Sequence, residues 1–360
     1  MSLGIHHPTI QMTNTIALHI KDKIQETADT FTFVFTETFD DFPYKAGQFL
    51  TVLVNIEGQD YKREYSFSSS PQINRNLSIT VKRVKTGKVS NYICDHFEIG
   101  MTIEVLPAAG TFIPQLNASN KRTVVLIAGG SGITPLFAMA KSILAIELLS
   151  KVYLIYANRT ENDIIFKNEL AQLQLTYEGR FNHLHIISQA SDKWYGLTGR
   201  LDQESIIACL EQLPVIFPKE AAYFICTPTG LMKEVQLALS TLKVPASKIH
   251  KENFGTTTIE TPNTNNPEIK DQTVTVKYKS VEYSIFVAAG KSILKAALEE
   301  QIRLPFSCEK GVCTACIGTC TSGKVSMKGS DALSKNEIAK GYVLTCIGKP
   351  LTEGVYIDLD

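Results

Sequence analysis

The rhythm of apolar and polar positions changes twice along the chain, and each change marks a different kind of structure. From Thr15 to about Gln115 apolar residues alternate with polar ones over short runs, as in Phe31-Thr-Phe-Val-Phe35 and Leu77-Ser-Ile-Thr-Val81. A period of two places apolar side chains on one face of an extended strand. The pattern predicts strands over 31–36, 49–55, 65–68, 77–84 and 102–107, with one short helix over 90–97. So many short strands in succession predict a closed antiparallel barrel, since closure leaves no bare edge.

From Arg122 the period lengthens. Val124-Val-Leu-Ile-Ala128 reads as a buried strand, followed by a helix over 136–149, a strand over 152–157 and a helix over 164–175. Strands over 183–188 and 222–226 and a helix over 231–242 continue the alternation. Strands that alternate with helices predict a parallel sheet in an α/β module. The stretch 255–271 then loses its large apolar residues and carries Thr256-Thr-Thr258 and Pro262-Asn-Thr-Asn-Asn-Pro267, which predicts a polar, flexible linker. Beyond it a hairpin over 274–279 and 283–287, then a helix over 293–301, predict a β-grasp module. The expected division is therefore 13–117, 118–255, a linker 256–271, and 272–360.

Composition narrows the function classes. The chain is 44% hydrophobic and 20% charged, with 36 basic against 36 acidic residues. A net charge of zero argues against general binding to nucleic acid or a membrane surface. No apolar run is long enough to span a membrane, and the start, Met1 to His7, lacks the pattern of a secretory signal.

The last module carries the sharpest chemistry. Cys308, Cys313 and Cys316 form a C-x4-C-x2-C run, and Cys346 follows after 29 intervening residues. This is the ligand spacing of a plant-type [2Fe–2S] cluster, in which one loop gives three thiolates and a distant element gives the fourth. Gly311 permits a tight turn inside the loop, and the small residues Thr314 and Ala315 leave room for sulfide. A structural zinc site is the competing reading of C-x2-C, although no second short-spaced dyad flanks Cys346. The other four cysteines, Cys94, Cys209, Cys226 and Cys320, are scattered, which suits a reducing cytoplasm.

Three further stretches suit cofactors. Arg63-Glu64-Tyr65-Ser66 offers a cation for a phosphate, an aromatic for a flat ring and a hydroxyl for a ring nitrogen, as a flavin requires. Arg63 and Tyr65 share one face of the strand at period two. Gly87-Lys88-Val89-Ser90 opens the short helix, where free N–H groups suit a diphosphate; the same residues would serve an ordinary helix start with Ser90 as its N-cap. Gly129-Gly-Ser-Gly-Ile-Thr-Pro135 joins a strand to a helix, and Cys226-Thr-Pro-Thr-Gly-Leu-Met232 ends a later strand. Both turns belong to the strand ends where open α/β sheets bind ligands, with Pro135 expected at the first helical position.

Together these motifs resemble the ferredoxin–NADP reductase superfamily, and their order resembles its oxygenase-reductase branch with a C-terminal ferredoxin. The resemblance runs from about residue 15 to 360 and implies an FAD barrel, an NAD(P)H domain and a [2Fe–2S] ferredoxin. It implies that Arg63 binds the flavin phosphate, Tyr65 packs on the flavin and Ser66 bonds to its N5. Gly87 and Ser90 would flank the FAD diphosphate, Gly130, Gly132 and Thr134 would form the nucleotide loop, and Cys226 would lie by the nicotinamide. Glu252 and Phe254 resemble the segment that ends the reductase module, with the aromatic covering the flavin. Two departures stand out: Cys226-Thr227-Pro228 replaces the family's Cys-Gly-Pro, and Ser188-Gln189 lacks the arginine of NADPH-preferring relatives. Arg159 could supply that missing charge, which leans the choice within NAD(P)H toward NADPH. The implied activity is hydride transfer from NAD(P)H to FAD, single electrons to the cluster, and export to an oxygenase, with no general base or nucleophile assigned. A stand-alone reductase of a flavodoxin or quinone, and a zinc-bearing redox sensor, are the alternatives.

Overall fold

The computed structural model describes residues 15–213, 218–254 and 270–360, apart from 310, 312, 329, 331 and 334. The predicted linker 256–271 lies outside the described residues except for its last two, and so does the chain start.

The first sheet joins β1 (Ile16–Thr27), β2 (Thr30–Thr38), β3 (Phe49–Ile56), β4 (Gln59–Ser66), β5 (Asn76–Lys82) and β6 (Thr102–Ala109) in the order β4-β3-β6-β1-β2-β5. Every pairing in it is antiparallel, and a bridge between Phe67 and Ile79 links the two ends of the order, so the barrel closes. Leu18, Phe33, Leu50, Val52, Ile79 and Val105 fill its interior at period two along their strands, and α1 (Lys88–His96) adds Ile93 to that core. Full burial of each such side chain contributes about 1.5–3 kcal/mol. Two strands depart from the expectation. The pattern does not predict β1, because Lys21-Asp-Lys23 interrupts its alternation, and β4 starts at Gln59 rather than Tyr65, because its first half is polar. As an end strand of the sheet order, β4 leaves one side accessible, which tolerates such a sequence.

The second sheet is parallel and places β7 (Thr123–Gly129), β8 (Lys151–Asn158), β9 (Phe181–Ile187), β10 (Leu197–Thr198), β11 (Ala222–Cys226) and β12 (Ile249–Glu252) in the order β10-β9-β8-β7-β11-β12. Two apolar layers form on its faces. One gathers Val124, Leu126 and Leu154 with the helices α2 (Ile133–Ile146) and α3 (Lys167–Thr176). The other gathers Val125, Ile127 and Ile155 with α4 (Gln203–Gln212) and α5 (Thr229–Thr241). Strands covered on both sides must be apolar throughout, which is why they read as unbroken runs. The helix after the glycine turn begins at Ile133 and not at Pro135, so proline occupies its third position, where an N–H would still lack an intrahelical partner.

The third sheet joins β13 (Gln272–Tyr278), β14 (Val281–Val287), β15 (Ile317–Ser322), β17 (Tyr342–Leu344) and β19 (Val355–Asp358) in the order β14-β13-β19-β15-β17, with α6 (Ile293–Glu299) packed on it. The short pair β16 (Val325–Ser326) and β18 (Lys349–Pro350) stands apart. The architecture is the expected one: an antiparallel flavin-type barrel, a parallel α/β module and a β-grasp module.

A buried lysine sews the first two modules together. Lys141 on α2 is 7% exposed; its Nζ donates to the Ser68 carbonyl at 2.9 Å and to Asn74 Oδ1 at 2.8 Å, and it lies 4.2 Å from the centre of the Phe137 ring. Ser70 and Ser142 add a hydroxyl pair at 2.8 Å across the same seam. Burial pulls the Lys141 amine down to about 7, against an ordinary 10.5. Between those values the unfolded chain holds a proton that the folded chain has released, so stability should rise as pH climbs from 7 toward 10. Melting curves across that range should show the rise in the native chain and its loss in Lys141→Met.

Candidate functional site

The strand β4 presents its residues to two sides. Arg63 and Tyr65 pair across the ladder with Val52 and Leu50, whose side chains enter the barrel, and Tyr65 packs against that core. Arg63 stays exposed, with Nη1 donating to the Lys62 carbonyl at 2.7 Å. Lys62, Glu64 and Ser66 share the other side, and Ser66 is 4% exposed. Nearby, α1 starts two residues earlier than predicted, with Gly87 as N-cap and no side-chain cap bond. Ser90 is therefore not the N-cap. Its Oγ accepts from the Val84 N–H at 3.0 Å and folds the preceding loop onto the helix start. The Gly87 N–H donates to the Val84 carbonyl at 2.8 Å, which leaves the N–H groups of Lys88 and Val89 at the helix start without a capping side chain, as an anion site requires.

In the second module the two predicted turns touch. A Cβ added to Gly132 would stand 2.0 Å from the Cys226 carbonyl oxygen, and one added to Gly129 would stand 2.6 Å from Pro228 Cδ. Only glycine fits where these backbones meet. Gly130 takes φ +53°, and its carbonyl accepts from the Tyr156 hydroxyl at 3.0 Å. Thr134 is buried and donates to the Ser131 carbonyl at 3.0 Å. Arg159 stands exposed just beyond β8, where its carbonyl accepts from the Gln189 N–H at 2.7 Å. It thus adjoins the Ser188-Gln189 turn, whose missing arginine it is expected to replace.

Cys226 is buried, and burial followed by the nearby Glu252 carboxylate pushes its thiol well up. A thiol so held is a neutral packing surface and no nucleophile. Glu252 is its register partner on β12, with Oε2 buried and lacking a hydrogen-bond partner among the described residues, and burial raises its carboxyl to about 8. The sequence marks Glu252 only faintly, because β12 is short and its apolar signal is Ile249 alone. Phe254 follows in the open, 47% exposed.

The four predicted ligand cysteines converge in the third module. Cys313, Cys316 and Cys346 are buried, and the antiparallel pair β15–β17 carries Cys346 back to Cys316. The Thr345 N–H donates to the Cys316 carbonyl at 3.1 Å. The Cys313 thiol interacts most strongly with Cys308 and the Cys316 thiol with Cys346, while Cys346 also touches Cys308. Contact with Cys308 raises Cys313 and Cys346, whereas Cys316 is drawn down as the partner of Cys346. Among the described residues no trio of His, Cys, Asp or Glu is set around a single ion. The four thiols interact with one another rather than with outside partners, Cys346 with both Cys308 and Cys316. Four converging thiols are the soft donor set that a cationic iron–sulfide core would bind as thiolates, and the residues fit a [2Fe–2S] cluster. Gly311, at φ +71°, packs under Ile347, where a Cβ would stand 2.6 Å from Cδ1. Cys320 sits apart on β15, its Sγ toward the Ser322 carbonyl at 3.2 Å.

The three modules meet. A cleft of about 650 Å³ is lined by Phe112 from the barrel exit, His250, Glu252 and Asn253 from the parallel sheet, and Cys313 and Thr314 from the cysteine loop. A direct contact, which no local pattern in the chain foretells, joins barrel to ferredoxin-like module: Thr51 Oγ1 and Ser307 Oγ lie 3.0 Å apart, and Ser307 Oγ donates to Glu64 Oε1. Burial raises the Glu64 carboxyl.

Known proteins share this arrangement. Residues 15–113 match the oxidoreductase FAD-binding domain, 126–237 the oxidoreductase NAD-binding domain, and 276–351 the 2Fe-2S iron-sulfur cluster binding domain. The fold and these matches define a flavin- and iron–sulfur-dependent oxidoreductase. The chain is 34% identical over 353 residues to a component of the 1,2-phenylacetyl-CoA epoxidase of Escherichia coli (strain K12), covering 97% of this chain and 99% of that one. It is 32% identical to the ferredoxin reductase component of 3-ketosteroid-9-alpha-monooxygenase from Rhodococcus rhodochrous, covering 96% and 97%. Among solved structures, phthalate dioxygenase reductase aligns with a TM-score of 0.57 at 25% identity, covering 96% of this chain and 98% of that one. An intact self-sufficient cytochrome P450 monooxygenase shares the fold with a TM-score of 0.72 at 22% identity, covering 95% of this chain and 41% of that one. The chain belongs to the ferredoxin-tailed oxygenase reductases of the ferredoxin–NADP reductase superfamily. Its cofactors are FAD, a [2Fe–2S] cluster and a nicotinamide nucleotide.

Two substitutions test this geometry. Gly132→Ala must move the Cys226 backbone, so chemical denaturation should show a loss of at least about 2 kcal/mol. Glu252 keeps a proton in the folded chain up to about pH 8, against an ordinary 4.5. The folded state therefore binds the extra proton between those values, and stability should fall as pH rises through that window. Glu252→Gln should flatten that fall in a series of melting temperatures.

Proposed function

We propose that the chain takes hydride from NAD(P)H and delivers single electrons to a multicomponent oxygenase of the phenylacetyl-CoA epoxidase kind. The observation that carries this reading is the cleft at which all three modules meet, with Cys313 and Thr314 of the cysteine loop on one of its walls. Its strongest support from kinship is the end-to-end match to a component of that epoxidase. When bound, the flavin supplies conversion between a two-electron hydride and single electrons, and the cluster supplies a one-electron store.

The chain's own residues bind, orient and shield. Arg63 and the uncapped start of α1, with Gly87 and Ser90, hold the flavin phosphates. Tyr65 gives its ring an aromatic face, and Ser66 places a hydroxyl at its edge. Gly130, Gly132 and Thr134 shape the nucleotide turn, and Cys226 with Glu252 forms a dry wall beside the nicotinamide. Arg159 offers the charge that favours the extra phosphate of NADPH. Cys308, Cys313, Cys316 and Cys346 hold the cluster. These roles divide among modules we place at 13–117, 118–255 and 272–360, with 256–271 as the linker. Cysteines held as thiols, and a cluster that is assembled under reducing conditions, support the cytoplasm as the compartment.

Anaerobic titration with NADPH and NADH tests the reading directly. Flavin bleaching should be followed by the spectral change of cluster reduction, with NADPH preferred. Arg159→Ala should raise the KM for NADPH roughly tenfold and leave that for NADH unchanged. Reconstitution with an epoxidase oxygenase should support turnover; transfer to flavodoxin or quinone alone would favour a stand-alone reductase.

A further inference from the structure

We propose that Glu64 is the positioning residue that docks the cluster-bearing module onto the flavin strand. The inference deepens the electron-transfer reading above and rests on it. Glu64 lies between Arg63 and Tyr65 but faces the opposite way, on the side of β4 shared with Lys62 and Ser66. Its register partner across the ladder is Thr51, which is 2% exposed. The two side chains close on Ser307, the residue immediately before the ligand Cys308: Thr51 Oγ1 lies 3.0 Å from Ser307 Oγ, and Glu64 accepts the Ser307 hydroxyl proton. Two residues back along the strand and one along the loop, Lys62 Nζ sits 3.9 Å from the centre of the Phe306 ring. Two consecutive residues of the loop lead-in are thus held by two alternate residues of the flavin strand.

Beside this contact the seam is open. A groove of about 670 Å³ runs along it, lined by Thr51, Lys62, Tyr278, Tyr283, Arg303 and Phe306. An interface with so much open space depends on its directed bonds, and a hydroxyl bonded to a buried carboxylate is a strong one. From Tyr65 to Cys308 the path runs through the peptide bond to Glu64, the Glu64 side chain, one hydrogen bond, Ser307 and the peptide bond to Cys308. When bound, the flavin would supply single electrons and the cluster would accept them. Glu64 and Ser307 neither gain nor lose a proton; they hold the two centres at a fixed separation.

The test uses the full-length protein with flavin and cluster bound, in the variants Glu64→Leu, Glu64→Gln and Ser307→Ala. Hydrogen exchange over residues 302–309 should accelerate roughly tenfold in Glu64→Leu and Ser307→Ala, as expected for loss of a charge-assisted bond. Stopped-flow reduction of the cluster should slow by a similar factor, while reduction of the flavin by NADPH and transfer to ferricyanide stay within about twofold of the native rates. Glu64→Gln, which keeps an acceptor oxygen, should restore most of the protection. Because Ser307→Ala alters the other module, a folding failure of Glu64→Leu would still leave the proposal open to refutation. Native exchange in both variants, or faster exchange with cluster reduction at the native rate, overturns it. Failure of the underlying electron-transfer reading would look different: the unsubstituted protein would lack flavin or cluster.

Discussion

Successive side chains of a β-strand must point to opposite sides, and in β4 that rule lets one short segment serve two modules. Arg63 and Tyr65 turn to the barrel side that we propose meets the flavin, while Lys62 and Glu64 reach the lead-in to the cysteine loop. A slip of one residue in the pairing of β3 with β4 would exchange the two sets and put each in the wrong environment. The apolar partners Leu50 and Val52, which must stay inside the barrel, hold the register. The proposed flavin residues and the lead-in to the cysteine loop are therefore positioned by the same ladder of hydrogen bonds.

The two other junctions are made as sparingly. Where the barrel meets the parallel sheet, a lysine is buried with two acceptors and an aromatic face rather than an opposing charge in contact. Such a contact is specific because each partner would be left unsatisfied without it. Where the glycine turn meets the end of β11, specificity comes from exclusion: backbone stands where any side chain would need to be. Both devices fix how the crevice is shaped, and neither contributes a group that reacts. The chemistry comes with the cofactors, and the protein sets distances, solvent access and local charge.

Charge is also what makes the cysteine loop intelligible. Three buried thiols and their neighbour Cys308 interact pairwise, and Glu64 lies close enough to add its own field to that of Cys308. Without a cationic centre the group would be held apart by repulsion or kept protonated. The fold has thus assembled a donor set that fits the cluster its spacing announces.

The three kinds of sheet, the four thiols and the glycine turns are legible in the chain before it folds. Each is written in a local code: a period of two or of helical length, a ligand spacing, a residue without a Cβ where backbones must approach closely. Arg63, Tyr65 and Ser66 fall on one strand by the same reading. The code fails at β1 and the first half of β4, where charged residues on solvent-facing positions hide the alternation. It also misplaces the N-cap of α1 at Ser90, because only the folded loop turns that hydroxyl back to Val84. That Glu64 and Thr51 meet Ser307, that Lys141 enters the barrel seam, and that Cys226 lies beside Glu252 are facts of the assembled molecule. Those pairs are up to 256 residues apart in the chain. Each depends on how whole strands and modules are oriented, and no local pattern encodes that.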